Sequence, residues 1–95
     1  MDVICINDTY SDDWLLWALE NNVKHPIKDK IYTMRDWKRH SNGGVGIYLN
    51  EINNPVVNDS FLFGISIEPS FNINRFRTLL NEPVKIEQEN YINTI

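Results

Sequence analysis

A chain of 95 residues, 42% apolar and 12% aromatic, is long enough for one domain with one small core and too short for two. Its formal charge of −4 argues against generic nucleic-acid binding, which needs a concentrated basic surface. No apolar run approaches the roughly 20 residues of a membrane-spanning helix, and a single cysteine excludes an internal disulfide.

The N-terminal stretch MDVICIND has no basic region, long apolar segment or cleavage site, so no signal peptide is expected. Cytoplasm is the expected compartment, with no membrane partner. Val3 to Ile6, apolar throughout, predicts a short central strand buried on both faces. Cys5 inside it reads as a small buried hydrophobe, because no electropositive partner lies nearby to activate a thiolate.

Ser11-Asp12-Asp13 opens a helix: Ser11 can cap it, and two acids suit the positive end of its dipole. Trp14, Trp17 and Ala18 follow at i, i+3, i+4, and Asn21-Asn22 ends it. The two tryptophans point to one side of this helix, which either packs on the core or faces a partner, and they are the candidate protein-binding residues. At least one is expected to be exposed in an isolated subunit and covered by a partner, most simply in a symmetric dimer. Val23 to Ile27 is a connector in which Pro26 keeps His25 extended.

Lys30 to Lys38 and Val45 to Glu51 read as two strands of a hairpin around Ser41-Asn42-Gly43-Gly44. Val45, Ile47 and Leu49 alternate onto one face. A two-residue loop would set Lys38 and Asp36 opposite that apolar face. A three-residue loop, Asn42 to Gly44, instead pairs Trp37 with Leu49, Arg35 with Glu51 and Arg39 with Ile47, and predicts a left-handed glycine at Gly44. Asn53-Asn54-Pro55 breaks the second strand. Phe61 to Ile67 alternates again and predicts the most hydrophobic, central strand, with Phe63 and Ile65 buried. Asn72 to Leu80 predicts one or two helical turns with Ile73, Phe76 and Leu80 inward, and Val84 to Glu87 a closing strand against Val3 to Ile6. The fold class is thus mainly β with one or two short helices, a small, partly open antiparallel barrel. Residues 1–87 form a single barrel-like domain, and 88–95 form a polar, frayed tail.

The patterns P-I-K-D-K-I-Y-T-M-R, G-G-V-G-I-Y-L-N-E-I-N-N-P and E-P-S-F-N-I-N-R-F-R-T-L resemble small uncharacterised proteins of phages and Bacteroidetes-type bacteria. The resemblance covers about Pro26 to Leu80 and implies an SH3-like barrel. In those proteins a glycine precedes the K-I-Y-T strand. Asp29 stands there in this chain and is able to adopt the same turn conformation. The resemblance implies no activity and no functional residues.

The chain has no metal-ligand spacing among His25, His40 and Cys5, and both histidines read as solvated turn residues. It has no nucleophile motif and no phosphate loop that opens a helix. No catalytic residue, metal or cofactor is expected, and the protein is not expected to be an enzyme. Charge is uneven: Lys24, Lys28, Lys30, Arg35, Lys38 and Arg39 face only Asp29 and Asp36 between residues 24 and 40, a local +4. Arg75 and Arg77 flank Phe76. The leading expectation is a module that binds another protein or a second copy of itself, with a phage-encoded inhibitor or accessory factor as a fitting role. The alternatives are a nucleic-acid-binding barrel that uses Lys28, Lys30, Arg35, Lys38, Arg39, Arg75 and Arg77, and an oligomeric protein that sequesters a small anionic ligand.

Overall fold

The computed structural model describes residues 1–59 and 65–86. Strand β1 (Asp2–Cys5) leads to helix α1 (Asp12–Glu20), then β2 (Ile31–Arg39), β3 (Val45–Leu49), β4 (Val57–Asp59), β5 (Ile65–Ile67) and β6 (Phe71–Asn72). A 3-10 turn (Ile73–Arg75) connects β6 to β7 (Phe76–Thr78). Five strands form an antiparallel sheet in the order β6-β3-β2-β1-β7, and β4 and β5 form a separate ribbon. The sheet is not closed, consistent with a partly open barrel.

β1 lies between two partners as its unbroken apolar run predicts, with Val3 and Cys5 fully buried. Its second neighbour differs from the sequence reading. Phe76 to Thr78 pairs with it, Cys5 facing Phe76, while Val84 is buried outside any named strand. Phe76 is extended (φ −131°, ψ 156°), so the helical stretch expected over residues 72–80 stops after one 3-10 turn. Leu80, expected inward, is 82% exposed. The chain turns at Asn81 (φ 62°) and folds back as Thr78 N–H donates to the Glu82 carbonyl.

The hairpin loop has three residues, shifted one position from the sequence reading: Ser41, Asn42 and Gly43. His40 N–H donates to the Gly44 carbonyl, Gly43 N–H donates to the His40 carbonyl, and the left-handed residue is Gly43 (φ 89°) rather than Gly44. Trp37 therefore faces Ile47 instead of Leu49. Arg35 does not face Glu51. It is the extra residue of a β-bulge between Met34 and Asp36, beyond which Met34 faces Leu49. The bulge has a physical logic. Trp37 and Met34 are an odd number of residues apart, and only an inserted residue lets both pack on the core while Arg35 turns away. The shifted loop, in turn, spares Arg39 a place opposite buried Ile47, since Arg39 faces half-buried Val45 near the turn.

Ile65 to Ile67 pairs with Val57 to Asp59 in the side ribbon, not at the centre of the main sheet. The burial expected of Phe63 and Ile65, and the tail at 88–95, lie outside what is described. The main core gathers Val3, Cys5, Tyr32, Ile47, Leu49, Ile52, Phe71, Phe76 and Val84. A smaller cluster joins Ala18 of α1, Val23 of the connector and Val57 of β4, and Trp14 packs against both.

Candidate protein-docking face

Helix α1 forms where its signals place it. Ser11 Oγ accepts from the Trp14 N–H at 3.1 Å, and Asp12 and Asp13 occupy the positive first turn. The C-terminal end is a Schellman closure. Val23 N–H donates to the Ala18 carbonyl (2.8 Å) and Asn22 N–H to that of Leu19 (3.4 Å), while Asn22 takes the left-handed conformation (φ 57°). The contact of Ala18 with Val23 is the apolar lock that accompanies this motif.

At 100° per residue, Trp14, Trp17 and Ala18 share one arc of α1, and Leu15, Leu19 and Leu16 span another arc of about 100°. The first arc is turned inward: Ala18 is buried and both tryptophans are half-buried against the core clusters. The second is turned out, with Leu15, Leu16 and Leu19 exposed by 40%, 56% and 77%. The exposed aromatic expected from Trp14 and Trp17 is thus replaced by an exposed leucine face. Asp12, Asp13 and Glu20 fall between and beside these leucines, and the helix carries no basic residue.

An aromatic column seats the helix. Tyr10 stacks on Trp14 with ring centroids 4.3 Å apart, Trp17 lies 6.0 Å from Trp14, and His25 lies 4.9 Å from Tyr10. His25 is half-buried in this column rather than solvated. The Arg75 guanidinium caps the column 3.9 Å from the Tyr10 ring centre, and its Nη1 donates to the Thr9 carbonyl at 2.8 Å and to Asn7 at 3.3 Å. Burial pushes the Tyr10 phenol up to about 12, against the opposing pull of Arg75. Tyr10 is a residue that the sequence reading passed over. It stands one residue ahead of the Ser11 cap, where its ring meets that of Trp14 in the first turn.

The other cations predicted as an anion or nucleic-acid surface are not brought together. Lys28 and Lys30 sit before β2, and Lys38 and Arg39 end it, roughly 25 Å away at the rise of an extended strand. Arg35 ion-pairs with Glu68, donates from Nε to the Leu49 carbonyl (3.2 Å) and lies over the Tyr48 ring. Arg39 donates to the Gly43 carbonyl at 3.3 Å. Arg75 belongs to the column, and Arg77 is half-buried on β7 opposite Ile4.

Cys5 is fully buried; desolvation pushes its thiol up, as suits a core side chain. His40 is exposed, with Nε2 3.4 Å from Ser70 Oγ. Among the described residues no three His, Cys, Asp or Glu side chains are grouped to hold a metal ion, and no helix is long and apolar enough to cross a membrane. Compared with family models, curated proteins and solved structures, the chain matches none.

Proposed function

We propose that the protein is a non-enzymatic binding module that engages another protein through the outward face of α1. The observation that carries this reading is the exposure of Leu15, Leu16 and Leu19 on a helix whose opposite side is already packed. A helix apolar on nearly every side belongs in an interior, and the described residues cover only one side of this one. Burying a leucine contributes about 1.5–3 kcal/mol, so three of them supply the apolar centre of an interface.

Charge selects the partner. Asp12 and Asp13 at one end and Glu20 at the other, with no basic residue, would face their own kind in a symmetric pairing of two α1 helices. A different protein, with an apolar centre and a cationic rim, is the better fit than a second copy. A phage-encoded inhibitor or accessory factor acting in the cytoplasm accords with this reading and with the resemblance of Pro26 to Leu80. Affinity capture from the cell that makes the protein tests it. The unaltered chain should retain a partner that the Leu16→Ser, Leu19→Ser variant loses and a Lys38→Ser variant keeps. Equal retention by all three would remove α1 from the account.

A further inference from the structure

An open groove of about 640 Å³ lies between the connector after α1, the start of β2 and the turn after β3, well within the size range of small-ligand sites. Tyr32 and Ile52 are buried beneath it, and Ile27 and Ile31 line it while remaining 44% and 58% exposed. Two side-chain clamps hold its wall. The Tyr32 hydroxyl accepts the Ile27 N–H at 2.8 Å, which ties the connector to β2. At the other end, the buried Asn54 side chain accepts the Lys24 N–H (2.7 Å) and donates to the Lys24 carbonyl (2.8 Å).

Lys24 and Lys30 line the groove, and neither is in an ion pair among the described residues. Among the described residues of the lining the one acid is Glu51, which already accepts the Thr33 N–H at 2.8 Å, a bond that holds its carboxyl below the usual range. His25 also lines the groove. Its Nδ1 lies 2.9 Å from the Pro26 carbonyl, which only accepts, so Nδ1 carries the proton. Two cations against one anion leave a single net positive charge beside exposed isoleucines, in a chain whose net charge is −4.

We propose that this groove binds a small monocarboxylate with an apolar body, the carboxylate meeting Lys24 and Lys30 and the body lying on Ile27 and Ile31. A single negative charge matches the lining better than a polyphosphate, which Glu51 would repel. Tyr32 is too buried to offer the open ring face that a nucleobase stacks on. This site is separate from the leucine face of α1, and neither proposal depends on the other.

Octanoate is a suitable probe, titrated into the full chain while the backbone amide resonances are followed. Saturable shifts at Ile27, Ile31 and Ile52 with a Kd of about 1 mM are expected. The uncharged octanamide should bind about tenfold more weakly, because it lacks the charge-assisted contacts. Lys24→Gln with Lys30→Gln should abolish that difference, and Leu16→Ser with Leu19→Ser should leave octanoate binding unchanged. Equal affinity for octanoate and octanamide in the unaltered chain would overturn the proposal. So would shifts confined to Leu15–Leu19, or no saturable binding up to roughly 10 mM.

Discussion

The five-stranded sheet and helix α1 treat their apolar residues in opposite ways. In the sheet, side chains from β1, β2, β3, β6 and β7 close over one another, and Val3, Ile47, Leu49 and Phe76 lose essentially all contact with water. In α1, Ala18 alone is buried, although five of its nine residues are Trp or Leu. A nine-residue helix is too short to persist alone. It is held by its caps and by the Arg75–Tyr10–Trp14 column, on one side only. The contrast separates two regions of this small domain: the sheet buries its apolar residues, and the helix leaves Leu15, Leu16 and Leu19 exposed.

The sharpest way to break that division is in the sheet. Phe76→Ala removes a ring that is 2% exposed and should cost about 3–5 kcal/mol, a large share of the stability of a domain of this size, seen as a collapse of the urea midpoint. A smaller loss is expected at Gly46. A Cβ there would lie 2.1 Å from Ser70 Oγ, so Gly46→Ala should destabilise by about 1–3 kcal/mol. Gly43→Val should cost more than about 1 kcal/mol because Gly43 sits at φ 89°, whereas Gly44 is free of that constraint.

The column between the two regions is probed by alkaline titration. The Tyr10 phenol is held above its ordinary value of 10.0, at about 12, so the unfolded chain loses this proton first. Its stabilising contribution is complete below pH 10.0 and lost as pH rises through about 12. Tyr10→Phe should remove the late tyrosinate absorbance step. It should cost little stability, because the buried hydroxyl has no hydrogen-bond partner among the described residues. The smallest stability change is expected for Leu16→Ser with Leu19→Ser, within about 0.5 kcal/mol per site by thermal melting. A cooperative loss there like that of Phe76→Ala would mean that the leucines belong to the core.

Much of the fold was legible because its signals are local. Ser11, Asp12, Asp13 and Asn21 bound α1 as read, Asp29 takes the left-handed turn (φ 72°), and the alternation of Ile47 and Leu49 marks the buried face of β3. The hairpin register was not legible, because parity does not distinguish a loop at 41–43 from one at 42–44, nor reveal the bulge that moves Arg35 out of phase. β7 was missed because Ile73 and Phe76 keep helical spacing while pairing of Phe76 with Cys5, far away in sequence, decides its conformation. The candidate docking face was half legible. The apolar content of α1 announces two apolar sides, but which one faces in is set by Tyr10, Val23 and Val57, and these contacts carry no local signature.

On the proposed reading, the outward face of α1 is covered by another protein, while the sheet needs no such cover. A photo-crosslinking residue placed at Leu19, compared with one at Leu80, tests it most directly in cells that make the protein. Both positions are more than three-quarters exposed, at 77% and 82%, so they differ in location rather than access. One discrete crosslinked species is expected from Leu19, abolished when Leu16 is also changed to Ser, and none from Leu80. Equal labelling from both positions, or none from Leu19, would contradict it.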